Sequence, residues 1–106
     1  MKEPDYTRSL NAPGEKVTDK MRVRFRQNGG KIKHFIVQYH SLIKGRWRTI
    51  MRIDTCHGYT HRHVYHLQDK EYKHPLQGDL NFLLTESQVF VTRNFRKIKE
   101  NFLNAK

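Results

Sequence analysis

A strict alternation of apolar and basic residues is the strongest constraint on how this chain folds. Met21, Val23 and Phe25 alternate with three arginines. Successive side chains of a β-strand point to opposite faces, so this period of two predicts a strand with one buried face and one wet face. The Asn28-Gly29-Gly30 that follows is typical of a hairpin turn, because such turns need residues that tolerate a positive φ. The segment therefore predicts the first hairpin of an antiparallel sheet.

Two further segments repeat this division of faces, with Lys44-Gly45 as the turn between them. The apolar alternates are Phe35, Val37 and Tyr39 in the second strand and Trp47, Met51 and Ile53 in the third. The opposite face then carries His34, Ile36, Gln38, His40, Arg46, Arg48, Ile50, Arg52 and Asp54. All three strands thus predict one apolar and one mainly polar sheet face.

The remaining segments are assigned from weaker patterns. Residues 1–16 contain prolines and a glycine without a hydrophobic period, so we expect a flexible arm that is ordered only where it lies on a domain of residues 17–106. Residues 61–67, rich in His and aromatic side chains, predict a fourth strand. Residues 69–78 are interpreted as a connection, after which Asp79 caps a short apolar turn.

A C-terminal helix is predicted from Thr85, where Thr85-Glu86-Ser87-Gln88 has the spacing of a capping box. Its apolar stripe is Leu84, Val91, Phe95, Ile98 and Phe102. This stripe needs a partner, and the apolar sheet face is the only large complement. We therefore expect an α+β fold, an antiparallel meander of about four strands with the C-terminal helix packed on its apolar face.

Charge and cysteine content restrict the class of function. The 106 residues include 21 Lys and Arg against 10 Asp and Glu, a formal net charge of +11. This excess favours a polyanionic partner such as nucleic acid. Cys56 is the only cysteine, which excludes an internal disulfide. The sequence has neither a long apolar run nor a signal-peptide pattern, so we expect a cytoplasmic protein without membrane association.

The basic residues are concentrated in the predicted sheet. Residues 20–68 contain eleven Lys or Arg and a single acid, Asp54. Because the helix is expected to pack against the apolar residues of the alternating strands, the arginines of these strands should share the other sheet face and bind phosphates there. Arginine also stacks on unpaired bases, which favours RNA over DNA. The candidate nucleic-acid-binding residues are Arg22, Arg24, Arg26, Arg46, Arg48, Arg62, His34 and His40.

A histidine cluster follows the third strand and suggests metal-independent RNA cleavage. Neutral and protonated His can act as base and acid near pH 7, while Arg stabilises the phosphorane. The candidate catalytic residues are Arg52, Asp54, His57, His61 and His63. Strand alternation predicts that His61, His63 and Tyr65 share one face, with Arg62 and His66 on the other. This interpretation requires no metal or cofactor.

Other interpretations of the cluster stay open. His61, His63 and His66, with His57 and Asp54, offer enough ligands for zinc or another transition metal, although the many nearby cations oppose a divalent ion. The histidines could also stack on RNA, sense pH or be hydrogen-bonded in the core. Asp54 could simply balance Arg48 or Arg52.

The stretch Arg52-Ile53-Asp54-Thr55-Cys56-His57-Gly58-Tyr59-Thr60-His61-Arg62-His63 resembles the small TumE-like proteins, RNase toxins of toxin–antitoxin pairs. The resemblance implies a Tyr- and Arg-rich antiparallel sheet, an Arg-x-Asp followed by a His-rich turn, and a C-terminal helix. It also implies that an antitoxin protein covers the basic face. Our first hypothesis is therefore a toxin-type endoribonuclease, and the second is a non-catalytic RNA- or DNA-binding subunit of a ribonucleoprotein or defence assembly.

Overall fold

The structure, a computed structural model, describes residues 3–55, 60–65 and 71–104. Within this described part, six strands and one helix follow one another along the chain. Their bounds are β1 Asp5–Ser9, β2 Asp19–Asn28, β3 Lys31–Ile43, β4 Arg46–Asp54, β5 Thr60–Tyr65, β6 Glu71–Leu76 and α1 Leu80–Asn104. The strands form an antiparallel sheet in the order β1-β2-β3-β4-β5-β6. The α+β meander with a C-terminal helix is confirmed, but the sheet has more strands than the four predicted.

The two additional strands lie at the edges of the sheet. β1 falls in the predicted arm and pairs with β2 from Asp5↔Arg24 to Ser9↔Lys20. β6 falls in the predicted connection and pairs with β5, with Pro75 opposite His61. A proline is tolerated at an edge, because an edge strand has one side without a strand partner. The residues of β1 are all exposed, so this strand needs no apolar alternation, and a search for alternation misses it.

Two-residue turns set the register of the central hairpins. Gly29 and Gly30 join β2 to β3 with φ of 59° and 78°, and Lys44 and Gly45 join β3 to β4 with φ of 51° and 77°. Two successive positive φ values give the turn that matches the twist of paired strands. Both predicted turns are therefore confirmed.

The helix begins earlier than the capping-box pattern indicates. The Asp79 carboxylate accepts a hydrogen bond from the Phe82 N–H at 3.1 Å, so Asp79 caps the whole of α1. The Thr85 hydroxyl instead donates to the Asn81 carbonyl at 3.3 Å, inside the helix. The prediction of a separate turn followed by a second cap is wrong, because the apolar period already runs through Leu83 and Leu84.

The predicted core is present between α1 and one sheet face, which we call the helix face. Its buried side chains come from β2, β3, β4 and α1: Met21, Val23, Phe35, Val37, Tyr39, Met51, Ile53, Leu83, Leu84, Val91, Phe95 and Phe102. Tyr39 meets Phe95 edge to face, with ring centroids 6.0 Å apart. The helix therefore covers one face of the sheet and leaves the other, the outer face, free of it.

A β-bulge in β4 reverses the faces of the residues before it. Tyr39 pairs with Met51 and His40 with Thr49, so Ile50 has no residue opposite it. Ile50 is fully buried in the core. One extra residue shifts the alternation by one, which sends every earlier side chain of the strand to the opposite face. Strict alternation predicts Trp47 on the helix face and Ile50 on the outer face. The bulge places Ile50 on the helix face and Trp47 on the outer face.

Candidate nucleic-acid interface and buried histidine cluster

The strand register aligns side chains in rows across the outer face. One row runs Arg22, Gln38, Arg52 and His63, and the next runs Arg24, Ile36, Asp54 and His61. Neighbouring strands are about 4.8 Å apart, so Arg24 lies about 10 Å from the strand that carries Asp54. The arginines of β2 and the histidines of β5 thus belong to one continuous surface.

Two of the β2 arginines are paired with acids of the N-terminal segment. The Arg22 guanidinium donates to both carboxylate oxygens of Asp5, at 2.7 and 3.0 Å, and Arg26 Nε donates to Glu3 at 2.8 Å. The hydrogen bond from Arg22 lowers the pKa of Asp5 below its ordinary value. Both pairs are exposed, and exposed ion pairs are weak, so a phosphate can compete for these arginines.

Trp47 lies on the outer face and not in the core, as a consequence of the bulge. It is 43 % exposed, and Lys20 Nζ stands 3.9 Å from its ring centroid. Together with Arg22 and His40 it lines an open depression of about 520 Å³. An exposed indole beside cations can stack on an unpaired base while the cations hold phosphate. The alternation pattern predicted Trp47 in the core, because the residues of β4 by themselves do not indicate a bulge.

The predicted histidines of β3 are both on the outer face. His40 is half-buried, with Nδ1 3.1 Å from the Thr49 hydroxyl. Burial, followed by the charges of Lys20 and Arg22, lowers the pKa of His40 from its ordinary value, so His40 is neutral near pH 7. His34 Nδ1 lies 2.6 Å from the Thr55 hydroxyl, which also accepts the Phe35 N–H at 3.2 Å.

Three predicted phosphate-binding arginines lie on the helix face. Arg48 pairs with Ser41, whose hydroxyl donates to Asp19 beside Tyr39, and its guanidinium lies 5.3 Å from the Phe102 ring centroid. Arg46 lies two residues before Arg48 in β4 and therefore shares its face of the sheet. The Arg62 guanidinium lies 4.6 Å from the Phe90 ring centroid. The assignment of Arg46 and Arg48 to the outer face is wrong, because the bulge reverses them. Arg62 lies on the face opposite His61 and His63, as the alternation in β5 predicts.

The ends of β4 and β5 bring four of the predicted catalytic residues together. Asp54 pairs with His61 and Arg52 with His63, so the four side chains adjoin on the outer face. Asp54 Oδ2 lies 2.6 Å from Arg52 Nε and 3.6 Å from His63 Nε2, and Asp54 Oδ1 lies 3.9 Å from His61 Nε2. His57 lies outside the described residues, as do His66 and Cys56.

This arrangement, the Asp54 cluster (Arg52, Asp54, His61 and His63), is deeply buried. Asp54, His61 and His63 are 1 %, 2 % and 3 % exposed, and only Arg52 reaches solvent appreciably. The imidazoles of His61 and His63 have centroids 4.3 Å apart, and the His63 ring lies nearly parallel to Tyr65 at 6.4 Å. The prediction that His61, His63 and Tyr65 share a strand face is confirmed. A carboxylate and two imidazoles that are buried together must either hydrogen-bond in a polar network or bind a metal ion, because buried polar groups without partners are costly.

Comparisons with known proteins place the chain in a family without identifying an activity. None of the curated proteins and none of the solved structures matches it significantly. Among the residues that the structure describes, no helix has the length and apolar character needed to cross a membrane. A protein-family match extends over residues 1–106. The chain therefore belongs to the DUF7718 family, a domain of unknown function.

Proposed function

We propose that this protein binds nucleic acid on its outer face, single-stranded RNA in preference to DNA. The supporting observation is the row of cations along β2, where Lys20, Arg22, Arg24 and Arg26 alternate with buried side chains on a face that α1 leaves open. Adjacent cations repel one another, and an anionic backbone relieves this repulsion. The net charge of +11 adds a long-range attraction for any polyanion.

The shape of the outer face supports a single strand as the ligand. A sheet surface with an exposed Trp47 offers a stacking platform of the kind that unpaired bases use. Reading duplex DNA usually requires a helix that enters the major groove, whereas α1 is packed along the sheet by its buried stripe. Arginine forks also suit bidentate contact with phosphate.

The binding proposal is tested by fluorescence anisotropy with labelled single-stranded RNA, single-stranded DNA and duplex RNA. Arg24→Gln and Trp47→Ala are expected to weaken RNA binding several-fold, and Arg24→Gln should reduce the slope of log K against log salt by about one. Arg93→Gln is the charge-matched control, because it removes an exposed arginine that lies on α1. Equal losses in Arg24→Gln and Arg93→Gln would show attraction by net charge alone and contradict a defined interface.

Cleavage of the bound RNA is a second candidate function, favoured by the rows that connect Arg22 and Arg24 to the Asp54 cluster. The toxin-type ribonuclease, its antitoxin partner and the cytoplasmic location stay predictions, as does the non-catalytic subunit of a ribonucleoprotein assembly. The burial of His61 and His63 weighs against metal-free cleavage, because a general base must reach the ribose hydroxyl within hydrogen-bond distance.

Cleavage is tested with a structured RNA in excess EDTA. Products with 2′,3′-cyclic phosphate ends, formed by the wild type but not by His61→Ala or His63→Ala, would support metal-free acid–base chemistry. His74→Ala is the control, since His74 is exposed on β6. Absence of cleavage both in EDTA and after addition of zinc, manganese or magnesium would leave binding as the function and exclude the ribonuclease.

A further inference from the structure

Three side chains of the Asp54 cluster converge as metal ligands do. One ligand atom from each of Asp54, His61 and His63 can be chosen so that all three lie within 4.8 Å of one another. Zinc binds His nitrogen at about 2.0–2.1 Å and carboxylate oxygen at about 2.0–2.2 Å, so two of its ligand atoms lie about 3.4 Å apart at a tetrahedral angle. Asp54 Oδ1 lies 3.9 Å from His61 Nε2 and Asp54 Oδ2 lies 3.6 Å from His63 Nε2, so each separation exceeds this value by a few tenths of an ångström, although the two involve different carboxylate oxygens. Binding of one ion therefore requires the three side chains to draw together from separations of up to 4.8 Å.

The donor set selects the class of ion. Two imidazoles and one carboxylate suit zinc, iron(II), cobalt or nickel, whereas calcium and magnesium prefer sites built from oxygen alone. The ligands come from adjacent strands, β4 and β5, whose pairing holds Asp54 opposite His61. A strand scaffold of this kind fixes the positions of the ligands before the ion arrives.

The fold also weakens the electrostatic objection to a cation here. Sequence alone counts many Lys and Arg around these ligands, but Arg62, which lies between the two histidines, contacts Phe90 on the helix face. Arg46 and Arg48 are on that face as well. Arg52 lies at the site, where its ion pair with Asp54 Oδ2 orients the carboxylate and leaves Oδ1 on the side of His61.

We propose that Asp54, His61 and His63 bind one divalent transition-metal ion of the zinc class. This proposal goes beyond nucleic-acid binding and does not depend on it. These three are the ligands among the described residues, and a fourth position of the ion would be filled by a further ligand, which in catalytic metal sites is water or an oxygen of a substrate. Arg52 acts as a positioning residue for the Asp54 carboxylate.

The test is titration of the full, tag-free protein with cobalt(II) after removal of metals by EDTA. One equivalent is expected to produce the intense visible absorption of low-coordinate cobalt, and zinc should abolish it by displacement. His61→Ala and His63→Ala should each weaken metal binding by about a hundredfold or more, because the loss of a ligand costs more than the roughly 10–100-fold that follows loss of a ligand's outer hydrogen-bond partner. His74→Ala, an exposed histidine, should bind as the wild type does.

Thermal unfolding of the wild type provides a readout that needs no substitution. An ion that binds the folded state alone raises Tm as its concentration increases. Zinc should raise Tm of the wild type and of His74→Ala, whereas magnesium and calcium should not. The zinc-dependent rise in Tm should be absent from the His61→Ala variant, provided that its circular dichroism spectrum matches that of the wild type. Absence of stoichiometric cobalt binding, or binding that His61→Ala and His63→Ala leave intact, would overturn the proposal. RNA anisotropy repeated in EDTA separates this outcome from a failure of nucleic-acid binding.

Discussion

Asp19, a buried carboxylate at the start of β2, organises the polar part of the helix face. It is 4 % exposed and accepts hydrogen bonds from Tyr39 at 2.6 Å, Ser41 at 2.7 Å and Thr18 at 2.9 Å. Burial by itself would raise the pKa of Asp19, but these hydrogen bonds and the charge of Lys99 hold it below its ordinary value. Burial and the neighbouring Asp19 raise the pKa of Tyr39, which therefore stays a neutral donor.

Replacement of this carboxylate should destabilise the fold in a pH-dependent way. Asp19→Asn is expected to reduce the free energy of unfolding at pH 7 by about 1–3 kcal/mol, because the Asn amide cannot accept all of the bonds. The folded-state pKa is lowered, so the stabilisation is present above the unfolded-state pKa of about 3.9 and is lost as the pH falls through the folded-state value. Urea unfolding at pH 7 and at pH 3 measures both effects.

The control for this experiment is Glu86→Gln, which removes an exposed carboxylate from α1. It should leave the free energy of unfolding nearly unchanged at both pH values. A difference between wild type and Asp19→Asn that is equally large at both pH values would contradict the assignment of the lowered pKa to Asp19.

Among the elements, β4 shows how a bulge changes which residues are buried. The core includes Ile50, the unpaired residue of the bulge, while Ile36 on the neighbouring strand is half-buried on the outer face. Ile50→Ala should therefore reduce the free energy of unfolding by about 2–5 kcal/mol, as expected for a truncated core side chain. Ile36→Ala is the matched control and should cost much less. Equal effects in urea unfolding would contradict the bulge.

The edge strand β1 and Glu3, which precedes it, bring two acids to the cationic outer face. Because Asp5 and Glu3 occupy Arg22 and Arg26, they compete with phosphate for the same guanidinium groups. The double substitution Glu3→Gln with Asp5→Asn should strengthen single-stranded RNA binding several-fold and steepen its salt dependence, both measured by anisotropy. Glu86→Gln with Glu100→Gln, which removes two exposed acids from α1, is the charge-matched control. Equal gains in the two variants would assign the effect to net charge.

At the scale of the whole molecule, the charge is distributed unevenly around a thin sheet. The formal net charge is +11, and the β2 cations adjoin one another on the outer face. Their mutual repulsion opposes folding and is screened by salt. Tm followed by circular dichroism should therefore rise by several degrees between low salt and about 0.5 M NaCl. A fall in Tm would mean that the ion pairs to Asp5 and Glu3 outweigh the repulsion.

Much of the architecture was predictable because it depends on local patterns. The alternation in β2 and β3, the turns at Gly29-Gly30 and Lys44-Gly45 and the stripe of α1 are each encoded within a few residues, and each is found in the structure. The polyanionic partner that the composition favours stays a prediction. The clustering of His61 and His63 on one strand face likewise followed from the period of two.

Tertiary structure decided what local patterns do not contain. The bulge at Ile50 depends on the partner strand, and it transferred Trp47 to the outer face and Arg48 to the helix face. The edge strands form by backbone pairing, which needs no alternation of side chains. Above all, the pairing of β4 with β5 brings Asp54 together with His61 and His63, and all three side chains are buried. Sequence alone determines which residues of a regular strand share a side, whereas contacts between strands determine where a bulge interrupts the alternation and which residues meet across the sheet.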